Sequence, residues 1–303
     1  MGYVRNQTTQ IPIIAKENLI VTNKGFNYYA VDFRQVNVQQ VYDIIAGLEA
    51  VEKDTWIAQE DFWQYIRKCD FVVYAEKNGQ IVGFNLVSIM YKNEFCIYTI
   101  DEAMVLRAFQ GNNIARNVVI IGLWWFMKMN WLDDRIRRFV LVSTSCNPKV
   151  VNNYFKNKYV TKIMDNSFKP SQELIAVHNE YVKKYNYELV DKDYPFCLKN
   201  MFPGSNQFEK YDKIPQYLNE VRSKMPPEFD YVQRGDAWAF MVNTSKMTYY
   251  MFAVATSLTF IGSKALLNKK IGLLKRKKPD AIWEPTQVPE RLTGYFSAKD
   301  VLN

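Results

Sequence analysis

The sequence is poor in the residues from which metal sites and histidine-based catalytic sites are built. Its 303 residues include a single histidine, His178, and four cysteines. Cys69, Cys96, Cys146 and Cys197 lie far apart, and no two of them form a C-x-x-C pair. Zinc sites and Ser-His-Asp triads need more ligands of these types at closer spacing. We therefore expect no metal site and treat His178 as a surface or packed residue.

The N-terminus lacks recognisable targeting signals. Residues 1–21 contain no apolar segment of signal-peptide quality. Gly2 is followed at position 6 by Asn6, so the Ser or Thr of an N-myristoylation motif is missing. Isolated cysteines are typical of reduced thiols buried in a core. Together these features predict a cytoplasmic protein.

The composition is that of a globular protein with a net positive charge. Hydrophobic residues make up 48% and charged residues 23% of the sequence, which excludes wholesale disorder. The formal net charge is +8 and the pI is about 9.1. A basic protein favours anionic partners. The sign alone leaves a phosphate-bearing cofactor, a membrane surface and nucleic acid all open.

The hydrophobic pattern predicts alternating strands and helices in an irregular order. Asn78-Gly79 lies between two β-rich runs, which is the strongest short-range hairpin signal. The order is strand 27–36, helix 37–54, short helix 58–70, the hairpin, strand region 94–109, a helix, strand 137–146 and helix 147–159. This order predicts an α/β fold with a mixed sheet rather than a doubly wound nucleotide-binding fold.

A polar turn, QGNN at 110–113, separates the strand region 94–109 from an apolar, helix-like run. The first backbone N–H groups of a helix have no partner within the helix, and the helix dipole is positive at that end. A turn of this kind therefore either caps a helix or binds an anion such as a phosphate.

The order and the turn resemble the GCN5-related N-acetyltransferase (GNAT) superfamily, over about residues 29–159. In that family the cofactor loop follows a hydrophobic strand residue, here Val105. It then has Arg or Gln, two variable residues, Gly, one residue, and Gly or Ala. Gln110 and Ala115 match this pattern, whereas Asn113 stands where Gly is usual. Asparagine is among the least penalised residues in left-handed conformations, so the loop can keep its shape.

A second motif supports the resemblance. Asn147 follows a predicted strand and Tyr154 comes seven residues later, as in the family's fourth helix. The Gly-Phe that usually closes this motif is replaced by Lys158-Tyr159. Tyr154 is also readily explained as an ordinary core residue, since the chain has 20 tyrosines.

The resemblance implies a set of roles. It implies acetyl-CoA, or a longer acyl-CoA, as the cofactor and an amine as the acceptor. The cofactor-binding residues would be Val105, which pairs with the pantetheine, together with Gln110, Gly111, Asn112, Asn113, Ile114, Ala115 and Asn147. Tyr154 would be the general acid.

The general base is less well defined by sequence. Asp101 and Glu102 are the carboxylates nearest the loop on the preceding strand. Period-two alternation predicts that Asp101 lies on the face of Val105 and that Glu102 points the other way. We therefore favour Asp101 as catalytic, with solvent-exposed strand-end charges as the alternative for both.

We divide the chain into a lead-in at 1–25, an acyltransferase-like domain at 26–200 and a C-terminal extension at 201–303. The extension contains an uncharged segment at 247–263 and a basic segment at 264–278. At 17 residues the uncharged segment is marginal for a membrane span. A core element, an interfacial or transmembrane anchor that meets anionic lipid through 247–278, and a nucleic-acid patch stay open, with nucleic acid the least favoured.

Two functions of different class follow. The first is an acyl-CoA-dependent N-acyltransferase that transfers an acetyl group to a primary amine by direct attack on the thioester. The second is a catalytically decayed, GNAT-like subunit that docks to a membrane or protein complex. Binding of coenzyme A discriminates between them.

Overall fold

The protein is described here by a computed structural model, which covers residues 18–33, 38–55, 62–130, 132–147, 150–151, 154, 165–203 and 225–261. In these ranges nine strands form one mixed sheet. The strands are β1 (Leu19–Asn23), β2 (Phe26–Asp32), β3 (Phe71–Lys77), β4 (Gln80–Lys92), β5 (Phe95–Val105), β6 (Arg138–Ser145), β7 (Asp165–Asn166), β8 (Cys197–Leu198) and β9 (Ala237–Ser245). The helices are α1 (Val38–Thr55), α2 (Phe62–Ile66), α3 (Ile114–Asn130), α4 (Gln172–Tyr185) and α5 (Lys246–Ile261). The predicted α/β class with a mixed sheet is confirmed.

The strand order of the sheet is β1-β2-β3-β4-β5-β6-β9-β7, with β8 also pairing with β9. Neighbours are antiparallel from β1 to β5, β6 is parallel to β5, and β9 is antiparallel to β6. β9 begins at Ala237, so the sheet continues past residue 200, where the sequence placed the end of the domain. Seven successive residues of β9 are buried, and a strand buried on both faces shows no alternation that would mark it in the sequence.

The predicted hairpin is confirmed. β3 ends at Lys77, which pairs with Gln80, the first residue of β4. The two residues between them, Asn78 and Gly79, have φ of +53° and +82°. Two successive positive φ values are what a two-residue hairpin turn with a right-handed twist requires.

Helices cover both faces of the sheet. Phe84 and Leu86 of β4 pack with α1 and α2 on one face. Val87 and Ile89 of the same strand belong to the cluster on the opposite face, which includes residues of α3. α4 packs over β5, β6 and β9 on the face of α1. The side chains of the sheet are therefore buried between two helical layers.

α5 includes most of the uncharged segment. Its Tyr249 is 3% exposed and stacks on Phe139 of β6, with ring centroids 4.0 Å apart. On another side of the helix, Met247 and Met251 are 59% and 62% exposed. The first part of the uncharged segment thus packs on the sheet, which agrees with the alternative of a core element for that part. The basic segment 264–278 lies outside the described residues.

A helix that crosses a membrane needs about 20 mostly apolar residues. None of the helices in the described ranges has both the length and the apolar character for this.

α4 is a capped, amphipathic helix. The Ser171 side chain accepts a hydrogen bond from the Leu174 N–H at its start, and Asn186 adopts a left-handed conformation at its end. His178 is completely buried on this helix, 4.6 Å from the Phe196 ring centroid. Burial lowers its pKa to about 4, so it is a neutral packing residue, as expected.

Candidate active site

The loop between β5 and α3 places a row of backbone donors at the surface. A short 3₁₀ turn, Arg107–Phe109, follows β5, and α3 begins at Ile114. Gly111 and Asn113 have φ of +87° and +61°, so Asn113 does adopt the left-handed conformation open to glycine. A Cβ added to Gly111 would meet nothing within 4 Å. Gln110 to Asn113 are exposed, which leaves the space in front of the loop open.

Asn113 is the N-cap residue of α3. Its carbonyl accepts the first helical hydrogen bond, from the Asn117 N–H at 3.0 Å. In the described part of the chain, the N–H groups of Gly111 to Ala115 have no hydrogen-bond partner. The Asn112 side chain donates to the Phe109 carbonyl at 3.0 Å and so holds the turn without occupying these donors. Unpaired donors at a helix N-terminus form an anion site.

Close packing fixes the position of this helix end on the sheet. Ile114 is 1% exposed and lies over Gly83 of β4. A Cβ on Gly83 would stand 2.8 Å from the Ile114 Cγ2 and 2.9 Å from the Met104 carbonyl oxygen. Glycine at position 83 therefore allows α3 to begin directly against the end of β5.

β5 and β6 separate beside the loop. Their last pair is Ile100 with Ser143, although β5 continues to Val105 and β6 continues for two more residues. Residues 143–145 and Ala103 reach solvent beyond that point, whereas the earlier part of the pair is largely buried. The two parallel strands are thus unpaired beyond this point, and we call the gap between them the β5–β6 cleft.

Backbone groups of β5 face this cleft. The Leu106 N–H donates to the Val82 carbonyl of β4 at 3.0 Å. Alternate residues of a strand direct their backbone groups to opposite neighbours. Ala103 and Val105 therefore direct their N–H and C=O groups away from β4, toward the cleft. The Gln110 side chain donates to the Val105 carbonyl at 3.3 Å, which links the loop to the strand.

A β-bulge changes the predicted orientation of Asp101. β4 pairs Leu86 with Glu102 but Val87 with Ile100, so Asp101 is an extra residue on β5. The strict alternation assumed from sequence is consequently wrong at this position. Asp101 and Glu102 both lie on the face of α1 and α2, and Val105 lies on the opposite face with α3.

The bulge directs Asp101 into a polar cluster. Its carboxylate accepts hydrogen bonds from Ser88 and from the Tyr185 hydroxyl at 3.4 Å, and the Cys69 thiol lies 3.7 Å away. Burial raises the pKa of Asp101 to about 7, against the opposing effect of Ser88 and Lys184. A carboxylate with this pKa can exchange a proton near neutral pH.

Glu102 is also withdrawn from solvent. It is 9% exposed, and its Oε2 atom is buried without a hydrogen-bond partner. Burial raises its pKa well above the usual value, and the nearby carboxylates of Glu52 and Asp101 raise it further. Neither Asp101 nor Glu102 is therefore a simple solvent-exposed strand-end charge, the alternative that the sequence left open.

Tyr154 lies near the closed end of the cleft, and Asn147 follows the end of β6. The Tyr154 hydroxyl is hydrogen-bonded to Ser143, the last β6 residue that pairs with β5, and its ring stacks on Phe240 at 4.2 Å. Burial raises the pKa of Tyr154, so it keeps its proton at neutral pH. The Asn147 carbonyl accepts from the Val151 N–H at 3.0 Å, as expected of a helix cap.

Several residues around the cleft were not identified from the sequence. Gly83 carries a usable signal, because an isolated glycine in a strand pattern indicates close backbone approach. Ser88, Ser143 and Tyr185 carry none. Each reaches the site through contacts between residues distant in sequence, which no local pattern encodes.

Comparisons with known proteins were made on sequence and on structure. No protein-family model matches the sequence, and no curated protein matches it. Among the similar solved structures is a GNAT family acetyltransferase from Elizabethkingia anophelis with acetyl-CoA bound, which is 12% identical over 74% of this chain and 99% of its own, at a TM-score of 0.32. A GNAT family acetyltransferase from Streptococcus pneumoniae is 9% identical over 72% of this chain and 99% of its own, at 0.33. A GNAT family acetyltransferase from Brucella melitensis in complex with acetyl-CoA is 17% identical over 38% of this chain and 74% of its own, at a TM-score of 0.27. At scores this low, the function has to be inferred from the site itself.

Proposed function

We propose that the chain is an acyl-CoA-dependent N-acyltransferase that transfers an acetyl group to a primary amine. The proposal rests on two features that lie side by side, the amides of the loop and the backbone of β5. Five unpartnered amides, Gly111 to Ala115, open α3 directly beside the exposed backbone of β5 at the β5–β6 cleft. A long thioester with a pyrophosphate needs both an anion site and an extended hydrogen-bonding edge.

The residues present fit such a molecule. The amides of Gly111 to Ala115 would hold the pyrophosphate, with the open space in front of Gly111 to receive it. Lys77, whose Nζ is 5.7 Å from the Phe109 ring centroid, adds positive charge near the loop. Ala103 and Val105 would pair with the amide-containing pantetheine arm. When bound, acetyl-CoA supplies the activated acyl group.

Asp101 is the proposed general base. An amine acceptor reaches the enzyme as an ammonium ion at neutral pH and must lose a proton before its lone pair can attack. With a pKa of about 7, Asp101 can accept that proton and return it to solvent. Ser88 and Tyr185 would hold the carboxylate in place at the closed end of the cleft, next to the last β5–β6 pair.

Tyr154 is the proposed general acid. Its raised pKa keeps the hydroxyl protonated, and Ser143 fixes its position beside the end of the β5–β6 pairing. From there it can donate a proton to the departing thiolate as the amide bond forms. In each cycle the nitrogen loses two protons and the sulfur gains one. The first proton passes through Asp101 to solvent. The second leaves the nitrogen as the tetrahedral intermediate collapses and replaces the proton that Tyr154 gives to the thiolate, so that one proton is released overall.

Binding and turnover of the intact chain test the proposal. Acetyl-CoA should raise the melting temperature in a saturable manner, by an amount set by its concentration relative to Kd. Longer acyl-CoAs, titrated in parallel, determine the accepted chain length. Release of free coenzyme A in the presence of a primary amine should depend on the protein. If acetyl-CoA neither raises the melting temperature nor is turned over, the result would instead fit the catalytically decayed subunit.

A contact with anionic membrane surfaces is a separate proposal. Met247 and Met251 are one helical turn apart and expose a short apolar strip on α5. The sequence that follows carries seven basic residues between 264 and 278. Apolar contact next to positive charge is the combination that attracts a protein to anionic lipid.

A further inference from the structure

The buried carboxylate of Glu102 is not needed for the chemistry described above. Its Oε2 atom is buried, and in the described ranges no hydrogen-bond donor satisfies it. The side chain is more than nine-tenths buried, since Glu102 is 9% exposed. A buried polar atom without a partner costs free energy, so such a group is retained where it has another role.

The surroundings of Glu102 are acidic. Glu52 of α1 is 6% exposed, and both it and Asp101 are close enough to raise the pKa of Glu102. Among the described residues, no cation contributes to the electrostatic environment of Glu102. The described residues also contain no group of three or more His, Cys, Asp or Glu side chains arranged to hold a metal ion. An organic cation is the partner that we consider for this carboxylate.

Aromatic side chains border the same carboxylates. Tyr65 of α2 is near both Asp101 and Glu102. Tyr185 contacts Asp101 and stacks on Tyr187 with ring centroids 5.3 Å apart. Aromatic faces attract cations electrostatically, and the attraction is stronger where water is excluded. An ammonium group between these rings and the carboxylates would be stabilised by both.

From this arrangement we infer that Glu102 and Glu52 form a cation-binding subsite and that the acceptor is a short aliphatic diamine. One amino group would be delivered to Asp101 and the second, as an ammonium ion, to Glu102 and Glu52. This rests on the proposed function for the role of Asp101. The bulge makes the arrangement possible, because it places two consecutive carboxylates on one face of β5.

Calorimetric titration of the intact chain tests the subsite. The probes are 1,4-diaminobutane and n-butylamine, which share a chain length and differ by one charge, each with and without acetyl-CoA. The diamine should bind at least about tenfold more tightly, as expected for charge-assisted hydrogen bonds to a buried group. Glu102→Gln should remove that preference, and Asp43→Asn, which changes an exposed carboxylate of α1, should keep it.

The same experiment separates the two proposals. Equal affinity of the parent chain for the two amines, or a preference that survives in Glu102→Gln, overturns the diamine subsite even if acetyl-CoA binds. A preference that depends on Glu102 in a chain that does not bind acetyl-CoA supports the subsite and overturns the acyltransferase. Burial and the neighbouring carboxylates raise the pKa of Glu102, and a bound ammonium ion would lower it, so diamine binding should also release protons, measurable as a dependence of the binding enthalpy on the buffer. Absence of proton release in the folded parent chain, or its persistence in Glu102→Gln, would count against the subsite.

Discussion

Ile114, the first residue of α3, packs on Gly83 of β4 so closely that a Cβ on Gly83 would stand 2.8 Å from its Cγ2. This contact sets the helix N-terminus at the end of β5, where Ala103 and Val105 direct their backbone groups away from β4, toward the β5–β6 cleft. Three consecutive elements, β4, β5 and α3, thus meet at one point. The unpaired amides of the loop and the extended edge of β5 owe their adjacency to the absence of a side chain on Gly83.

The loop amides are tested by two changes at one position. Gly111→Pro removes an N–H and cannot adopt φ of +87°, so binding of acetyl-CoA should be lost. Gly111→Ala keeps the N–H and meets no steric contact, so it should retain measurable binding after a strain cost of about 1 kcal/mol. Calorimetry on folded variants measures both. Equal affinity of the parent and Gly111→Pro would remove the loop from the site.

Asn113→Gly tests the departure from the family pattern. Asn113 already has φ of +61°, and glycine adopts this conformation without a steric penalty. The variant should therefore bind acetyl-CoA as well as the parent chain or better. A marked loss of affinity would show that the Asn113 side chain, rather than the loop backbone, makes the important contact.

Tyr154→Phe separates catalysis from binding. It removes the proposed proton donor, so turnover should fall by about 100- to 10,000-fold while the affinity for acetyl-CoA stays nearly unchanged. Tyr249→Phe is the matched control, because Tyr249 is another buried tyrosine, and it stacks on Phe139 in the closed part of the β5–β6 pair rather than beside Ser143 at its end. Turnover of Tyr154→Phe within about twofold of the parent would make Tyr154 a packing residue or leave the proton transfer to water.

The raised pKa of Asp101 predicts opposite effects on activity and stability. Activity should rise with pH through about 7, as the base loses its proton. Stability should fall over the window from 3.8, the ordinary value, to about 7, because the folded state holds the proton more tightly than the unfolded chain does. The groups that face the carboxyl and enter this balance are Ser88, Cys69, Glu102, Lys184 and Tyr185.

Asp101→Asn should accordingly be inactive yet melt at a higher temperature than the parent at pH 8, with the difference shrinking toward pH 4. Thermal denaturation at several pH values and a pH–rate profile measure the two effects. Asp43→Asn, on the exposed side of α1, should leave both unchanged. A variant that is active, or one that is destabilised equally at all pH values, would contradict the assignment.

The C-terminal region allows a clean truncation test of the membrane proposal. Ending the chain at Ile261 keeps the described length of α5 and removes the basic segment, so binding to anionic liposomes at low salt should be lost. Ending it at Lys246 also removes Tyr249, which should expose Phe139 and lower the yield of soluble protein. If the intact chain does not co-sediment with anionic liposomes at low salt, the membrane proposal is wrong.

The sequence predicts those features that local patterns encode. The Asn78-Gly79 hairpin, the α3 helix after the polar turn and the left-handed Asn113 all follow from a few adjacent residues, and the structure has each of them. The direction of Asp101 depends on a bulge, which shifts register without a composition signal. The position of β9 between β6 and β7 depends on pairing across about 100 residues, and no local pattern specifies such a partner.

The most direct test is amide hydrogen exchange of the intact chain with and without coenzyme A. The N–H groups of Gly111 to Ala115 have no partner in the described structure and should exchange rapidly in the free protein. Saturating coenzyme A should slow them, together with Ala103 and Val105, and should leave the exposed turn at Asn93 unchanged. Coenzyme A that binds without slowing the 111–115 amides, or that does not bind at all, would contradict the account.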